Sequence, residues 1–310
     1  MRLVFFGTPA PAAVALDTLL GSRHEVAAVV TQPDRPRGRS GKPFPSEAKQ
    51  RAAAAGVPVL QPASPRDAGF AEQLAAYRPD VAAIVAYGHI LPPDVLAIPA
   101  KGTVNVHFSL LPAYRGAAPV QRAIMAGEEE TGVTTFLLEP TLDTGPILRQ
   151  VRERIDPTDS TGTLLERLAP IGARVLVETL DALEAGTAEP MPQDPSRASP
   201  APKIKPEEGA IDWSRPAAEI VNLIRALDPA PGAYASFRGK RTKLWRARVV
   251  AAPVSTPGAV LDAGKDRLVI SAGDAAVEVL ELQLEGAKRL ETPAFVRGHR
   301  PKTDETFDAL

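Results

Sequence analysis

Short apolar runs alternate with helix-like segments through the first half of this chain. Leu3 to Phe6 and Val26 to Val30 are apolar and strand-like, and apolar positions between them, from Ala10 to Leu20, have helical spacing. Further strand-like runs lie at 81–85, 103–106 and 133–138, and helix-like ones at 120–126 and 161–183. Such alternation is typical of a parallel sheet with helices on both faces. The first half therefore predicts an α/β fold with a doubly wound, mostly parallel, Rossmann-like sheet.

The second half has a different pattern. Six prolines between positions 190 and 206 exclude a helix or a central strand, so this stretch predicts an extended linker. After a helix predicted at 217–227, short alternating runs and turns such as Arg238-Gly239-Lys240 predict a small antiparallel, OB-like β-barrel. At 310 residues the chain is long enough for two domains. We expect an α/β domain over 1–189, a linker over 190–206 and a barrel over 207–310.

Composition and spacing exclude several classes of site. The chain has no cysteine and four scattered histidines, so we expect neither a disulfide nor a bound metal. The first βα turn has one glycine and two prolines, too few glycines for a dinucleotide fingerprint. Gly41-Lys42 is a near miss for a phosphate loop, because prolines replace the first glycine and the hydroxyl residue. No run approaches the length of a membrane span, and a cytoplasmic protein is predicted.

Asn105 and His107 are the strongest candidates for chemistry. They lie two residues apart at the end of a predicted strand, so their side chains point to the same face. An amide and a possible imidazolium aimed at one point are suited to a developing oxyanion. Asp143 follows the next predicted strand. If the two strands are neighbours in a parallel sheet, Asp143 lies beside His107 and favours its charged form. The alternatives are a strand end that satisfies its own loop and an Asx turn closed by Gly145.

Several segments resemble the formyltransferases that use 10-formyltetrahydrofolate. The motifs concerned are Asn105-Val106-His107, Ser109-Leu110-Leu111-Pro112, Arg115-Gly116-Ala117-Ala118-Pro119 and Leu142-Asp143-Thr144-Gly145. Four more are similar to those of the methionyl-tRNA formyltransferases: Gly7-Thr8-Pro9, Thr31-Gln32-Pro33-Asp34-Arg35-Pro36, Ala86-Tyr87-Gly88 and Ile211-Asp212-Trp213. The resemblance covers nearly the whole chain. The sequence departs from the family pattern at Pro11, Phe108 and Ala230.

The resemblance implies a reaction and the residues that serve it. The α-amino group of methionine on the initiator tRNA would attack the formyl carbon of 10-formyltetrahydrofolate, giving formylmethionyl-tRNA for translation initiation. Asn105 and His107 would stabilise the oxyanion, and Asp143 would orient His107 and help to remove the amine proton, directly or through water. The folate would contact Ser109, Leu110, Leu111, Pro112, Ala86, Tyr87 and Gly88. For Tyr87, loop packing is the alternative role.

Two basic clusters predict contacts with a phosphate backbone. The loop cluster contains Arg35, Arg37, Arg39 and Lys42, and the hairpin cluster contains Arg238, Lys240, Arg241, Lys243, Arg246 and Arg248. Either could be an ordinary solvated surface, but the resemblance favours tRNA. We expect initiator methionyl-tRNA and folate as partners, no membrane, and a monomer. The alternatives are a formyltransferase acting on a small amine such as a nucleotide sugar, and a catalytically inactive RNA-binding protein.

Overall fold

The computed structural model describes residues 1–36, 43–253 and 255–308. The strands are β1 (Arg2–Gly7), β2 (Glu25–Val30), β3 (Arg35–Pro36), β4 (Pro43–Phe44), β5 (Val59–Leu60), β6 (Val81–Val85), β7 (Thr103–His107), β8 (Glu130–Leu137), β9 (Ile147–Arg154), β10 (Ala233–Phe237), β11 (Lys240–Val250), β12 (Val260–Asp262), β13 (Val269–Ser271), β14 (Ala276–Leu284), β15 (Leu290–Glu291) and β16 (Phe307–Asp308). The helices are α1 (Ala10–Leu20), α2 (Glu47–Ala54), α3 (Phe70–Ala75), α4 (Pro93–Leu96), α5 (Pro119–Ala126), α6 (Thr161–Ala185), α7 (Ala217–Ala226) and α8 (Thr292–His299). Short 3₁₀ helices lie at Pro195–Arg197 and Pro206–Gly209.

The chain divides into two compact units. The first contains Met1–Pro119, Glu130–Arg154 and Leu165–Pro202, and the second contains Val120–Glu129, Ile155–Leu164 and Lys203–Leu310. The proline-rich stretch that was predicted as a linker is therefore largely part of the first unit. Its prolines prevent an α-helix and leave only short 3₁₀ helices, but its other backbone groups remain able to pair with neighbouring segments.

The sheet of the first unit has the strand order β5-β2-β1-β6-β7-β8-β9. Strands β5, β2, β1, β6 and β7 are parallel, whereas β8 is antiparallel to β7 and β9 to β8. The predicted mostly parallel sheet is confirmed. The parallel pairing of β7 and β8, on which the placement of Asp143 beside His107 depended, is wrong. The backbone N–H of Leu138 donates to Thr103 O at 2.8 Å, so the chain leaves β8 at the amino end of β7.

The central strands are buried on both faces. All five residues of β6 and five of the six in β1 are buried, which explains why these strands are continuous apolar runs. Sequence reasoning missed the edge strand β9, where charged residues dominate and only Ile147 is buried. It also missed α2, although Ser46 is its N-cap and accepts a hydrogen bond from Lys49 N. The short helices α3, α4 and α8 also escaped sequence reasoning.

The second unit contains an antiparallel sheet of order β12-β13-β14-β11-β10-β16, with β15 paired to β14. Its two edge strands meet near an isolated bridge between Ala259 and Thr306. There the backbone N–H of Val260 donates to Glu305 O at 3.0 Å. The predicted antiparallel barrel is thereby confirmed. Arg238 and Gly239, the two residues between β10 and β11, both have positive φ, which suits a tight hairpin turn.

Aromatic rings fill the core of this barrel. Phe237 stacks on Phe307 with a centroid distance of 4.7 Å and contacts Phe295 at 5.9 Å. All three side chains are almost completely inaccessible to solvent. Such rings contribute both area burial and pair geometry to stability. The stability of the second unit therefore depends strongly on Phe237.

We expect Phe237→Ala to lower the free energy of unfolding of the second unit by about 3–5 kcal/mol, because it leaves a cavity among closely packed rings. The measurement is urea unfolding followed by tryptophan fluorescence. Both tryptophans, Trp213 and Trp245, belong to the second unit, so the signal reports on this unit. Val249→Ala, at a half-exposed position, is the control and should change stability by less than about 0.5 kcal/mol. Equal midpoints for the two variants would contradict this description of the core.

Candidate active site

His107 is the last residue of β7, and its ring is buried. Asn105 lies two residues earlier on the same face of the strand, as the two-residue period predicts. The His107 Nε2 atom lies 2.8 Å from the backbone oxygen of Tyr114. Within the described residues, the Asn105 carboxamide makes no hydrogen bond. Its donors therefore remain available to a ligand at the carboxyl end of β7.

The contact with Tyr114 determines which nitrogen of the neutral ring carries hydrogen. A carbonyl oxygen can only accept, so Nε2 donates and Nδ1 is left with its lone pair. Burial lowers the pKa of His107 below its ordinary value, against the opposing effects of the Asp143 charge and the Tyr114 hydrogen bond. The charged ring suggested by the sequence is thus disfavoured at rest. A neutral His107 with a free Nδ1 is able to accept a proton.

Asp143 reaches His107 from the loop that follows β8. Its Oδ2 lies 3.8 Å from His107 Nδ1, close enough for charge interaction but too far for a hydrogen bond. The same oxygen accepts a hydrogen bond of 2.8 Å from the backbone N–H of Gly116. Asp143 has a φ of +51°, in the left-handed region that few residues other than glycine occupy. The surrounding contacts must therefore stabilise this conformation.

The loop after β7 carries the groups that hold this pair. Tyr114 also has a left-handed backbone, with φ of +62°, and its N–H donates to Ser199 Oγ at 2.9 Å. Gly116 has a φ of +128°, and a Cβ placed there would lie 2.5 Å from Ala201 O. Only glycine fits such a close backbone approach without displacing the chain. Gly116 of the Arg115-Gly116 motif therefore has two roles. It allows the loop after β7 to pack against Ala201, and its N–H binds the Asp143 carboxylate.

The segment at the carboxyl end of β6 presents its backbone to solvent. Ala86 and Gly88 are exposed and have positive φ, whereas Tyr87 between them is buried. Gln32 Nε2 donates to Tyr87 O at 2.8 Å, and a Cβ on Gly88 would collide with the same nitrogen. Burial raises the pKa of Tyr87 to about 12. Gln32 of the Thr31 to Pro36 motif thus supports the turn, and the Tyr87 ring packs inside the protein. The predicted contacts of Ala86, Tyr87 and Gly88 with folate stay predictions.

The four side chains from Ser109 to Pro112 are buried or half-buried. Ser109 is fully buried, and its hydroxyl donates to Ala113 O at 2.7 Å. Leu111 is buried against Phe136, whereas Leu110 and Pro112 are both half-buried. Ser109 and Leu111 therefore shape the loop by their own packing. Their predicted contact with folate stays a prediction.

The basic clusters contain both paired and unpaired cations. Arg238 is paired with Glu305 at 2.6 Å and Arg248 with Glu278 at 2.8 Å. Arg246 lies 3.6 Å from Glu291, and Lys243 Nζ donates to Pro231 O at 2.7 Å. In the part of the chain that the structure describes, Lys240 and Arg241 have no acidic partner. Of the loop cluster, Arg35 is exposed on β3, and Arg37, Arg39 and Lys42 lie outside the described residues.

One group of potential metal ligands occurs among the described residues, at His24, Asp181 and Glu184. Arg23 pairs with both carboxylates, at 2.6 and 2.8 Å. The amino group of Met1 pairs with Glu184 at 2.9 Å. These cations already neutralise the cluster, so its composition gives no support for a metal site.

Comparison with known proteins identifies the family. The sequence matches the formyl transferase family over residues 1–180 and the C-terminal domain of formyl transferases over residues 203–300. The methionyl-tRNA formyltransferase of Streptomyces coelicolor is 48% identical over 301 residues, covering 97% of both chains. That of Streptomyces avermitilis is 48% identical over 313 residues, covering all of both chains. The chain belongs to the methionyl-tRNA formyltransferase family. The predicted family and enzyme class are thereby confirmed.

Solved structures support the fold assignment of this family member. The sugar 3N-formyltransferase WlaRD has a TM-score of 0.69 at 17% identity, covering 93% of this chain and 99% of its own. HypX from Aquifex aeolicus, solved with tetrahydrofolic acid, has a TM-score of 0.67 at 20% identity, covering 96% of this chain and 47% of its own. At these identities the likeness establishes the fold alone. None of the described helices is long and apolar enough to cross a membrane.

Sequence reasoning missed two groups beside the candidate catalytic residues of this formyltransferase. The Tyr114 carbonyl is a backbone group, which no side-chain motif reveals. Gln193 donates to the backbone oxygens of Asp143 and Gly145 at 2.9 and 2.7 Å, from within the proline-rich stretch. Its signal in the sequence was weak, because Gln193 is flanked by prolines and by exposed residues.

We expect the pKa of His107 to lie below that of an ordinary histidine, because burial disfavours the imidazolium. Asp143→Asn should lower the pKa of His107 further, since it removes a charge that stabilises the protonated ring but keeps an oxygen for Gly116. The measurement is histidine NMR across pH, with the His107 signal assigned through His107→Gln. An increase in the His107 pKa on Asp143→Asn would contradict this electrostatic description.

Proposed function

We propose that this enzyme transfers the formyl group of 10-formyltetrahydrofolate to the α-amino group of methionyl initiator tRNA. The observation that carries the proposal is the grouping of Asn105, His107 and Asp143 at the carboxyl end of β7, in a chain about half identical to methionyl-tRNA formyltransferases over its full length. The carboxyl ends of parallel strands are the usual ligand edge of such a sheet.

The proposed reaction joins the amine nitrogen to the formyl carbon and breaks the bond from that carbon to the folate nitrogen. The amine loses one proton, and the departing folate nitrogen gains one. An α-amino group has a pKa of about 7.7–8.0, so a useful fraction is already neutral near pH 7. No strong base is therefore required. Direct attack also agrees with the absence of a serine or cysteine nucleophile motif from the sequence.

Asn105, His107 and Asp143 each have a proposed role in the reaction that agrees with their surroundings. The Asn105 carboxamide donates to the negative oxygen of the tetrahedral intermediate. His107 takes up the amine proton at Nδ1, the nitrogen that the Tyr114 contact leaves unprotonated. The ring then becomes a cation, which the Asp143 carboxylate stabilises at 3.8 Å and whose charge favours the developing oxyanion. The low pKa of His107 allows it to release this proton to the folate nitrogen.

A binding site for the flat folate ring system is supported by two exposed apolar side chains. Ile90 follows the Ala86 to Gly88 turn and is 65% exposed, and Leu142 precedes Asp143 and is 58% exposed. Large apolar side chains with this exposure are suited to cover a ligand. The backbone of the same turn can supply hydrogen bonds to the polar edge of a pterin.

Purified protein should formylate methionyl initiator tRNA with 10-formyltetrahydrofolate, and Asn105→Ala should reduce kcat by about 10²–10³ because one oxyanion donor is lost. The measurement is formylmethionine released from the tRNA under saturating substrates. Asn222→Ala is the matched control, since it removes the only other asparagine carboxamide, on α7. Wild-type turnover by the Asn105 variant would disprove its assigned role, and no formylation by the unaltered protein would disprove the proposed function.

The tRNA part of the proposal is supported by the unpaired cations of the hairpin. Lys240 and Arg241 begin β11 and are exposed, and the Arg241 guanidinium lies over the Tyr234 ring at 4.1 Å. By contrast, Arg238 and Arg248 are each neutralised by a glutamate. A phosphate would gain most from cations that have no protein counter-ion. We therefore infer that Lys240 and Arg241 contribute more to tRNA affinity than Arg238 and Arg248.

Lys240→Ala and Arg241→Ala should each raise the KM for methionyl-tRNA and flatten the plot of log affinity against log salt by about 0.9 per lost phosphate contact. Arg248→Ala removes the same charge from the same strand, but its effect should be smaller because Glu278 already pairs with it. The measurement is the KM for methionyl-tRNA at several salt concentrations, with the KM for folate as reference. Equal slopes for all three variants and the unaltered protein would point to a small amine as acceptor.

A further inference from the structure

An extended segment after α6 forms hydrogen bonds with two loops of the candidate active site. We call this segment, residues 191–201, the strap. At its start, Met191 and Ile147 exchange two backbone hydrogen bonds of 2.8 Å. At its end, Ser199 O accepts from Arg115 N at 2.8 Å, and Ala201 N donates to Arg115 O at 2.6 Å. The strap thus spans from the start of β9 to the loop that carries Tyr114 and Gly116.

Gln193 is the residue of the strap that contacts both loops through its side chain. Its Nε2 donates to Asp143 O at 2.9 Å and to Gly145 O at 2.7 Å. Its Oε1 accepts from Arg115 Nε at 3.0 Å and from Arg115 Nη2 at 2.7 Å. One carboxamide therefore uses both of its donor hydrogens and both acceptor positions in joining the Asp143 loop to the Arg115 loop.

Asp143 needs external support of this kind. His107 does not hold it by a hydrogen bond, because the distance from Nδ1 to Oδ2 is 3.8 Å. The contacts that hold it are the Gly116 N–H on its carboxylate and the Gln193 carboxamide on its backbone oxygen. Its left-handed backbone persists only where such contacts outweigh the alternatives.

We propose that Gln193 is a positioning residue, which holds the Asp143 carboxylate at the distance from His107 that formyl transfer requires. The proposal rests on the proposed function for its effect on turnover, but its geometric part concerns this chain alone. Gln193 itself does not touch the reacting atoms; it acts through the Asp143 and Arg115 loops. No motif of the sequence assigned it a role.

A glutamine side chain suits position 193 better than side chains of similar size do. A glutamate would keep the two hydrogen bonds from Arg115 but could donate none to the backbone oxygens of Asp143 and Gly145. A methionine has nearly the same length and can make none of the four bonds. Pro192 and Pro195 lie on either side of Gln193 and restrict the backbone of the strap, which limits rearrangement around a replaced side chain.

Gln193→Met should reduce kcat by up to about 10²-fold, because a displacement of catalytic groups by about 1 Å can cost that much. The KM for folate and for methionyl-tRNA should change little. Gln193→Glu should lose turnover similarly while it retains the Arg115 bonds, so it also covers the case in which Gln193→Met folds poorly. Gln73→Met, on the exposed surface of α3, is the matched control. Unchanged kcat in both Gln193 variants would overturn the proposal.

Two further measurements distinguish positioning from general stabilisation. Gln193→Met should lower the pKa of His107, as Asp143→Asn does, because the carboxylate is no longer held near Nδ1. In an Asp143→Asn background, Gln193→Met should cause little additional loss of kcat, since residues that act through one another are not additive. An unshifted His107 pKa, or full additivity, would overturn the proposal. The NMR titration needs no substrate, so its outcome does not depend on whether the proposed acceptor is correct.

Discussion

The hydrogen bond between the His107 ring and the Tyr114 carbonyl is the contact on which the candidate site depends. It fixes the orientation of a buried ring, determines its tautomer and leaves Nδ1 facing Asp143. Tyr114 has a left-handed backbone, and its N–H donates to Ser199 Oγ. Two residues later, Gly116 approaches the backbone of Ala201 closely. The position of the ring at the end of β7 is therefore maintained by backbone geometry as much as by neighbouring side chains.

The candidate active site and the basic surface differ in how their charged groups are surrounded. At His107 burial outweighs the nearby carboxylate, so the pKa of the ring is lowered and its neutral form is favoured. On β11 the basic side chains differ in their partners, because Glu278 pairs with Arg248 whereas Lys240 and Arg241 have no acidic partner among the described residues. Counting basic residues in the sequence treats all of these cations alike, whereas the structure distinguishes Lys240 and Arg241 from Arg238 and Arg248.

Local periodicity predicted much of the fold, and tertiary pairing accounts for what it missed. The bounds predicted for α1, Ala10 to Leu20, agree with the structure, because its helical spacing of apolar residues matches the side chains that it buries. The shared face of Asn105 and His107 follows from the same rule. The proximity of Asp143 to His107 was predicted from a parallel pairing that is wrong, and a folded-back loop produces it instead. Gln193 could not be found, since its partners are backbone atoms distant in sequence.

The strap has a consequence for where this catalytic unit ends. A fragment cut after α6, at about residue 189, would contain Asn105, His107 and Asp143 yet lack Gln193, Ser199 and Ala201. A chain that keeps all contacts of the strap extends at least to Ala201, and the first unit ends at Pro202. Exchange of the C-terminal module between members of this family, in evolution or by design, would therefore preserve the site only if the junction lies beyond that proline.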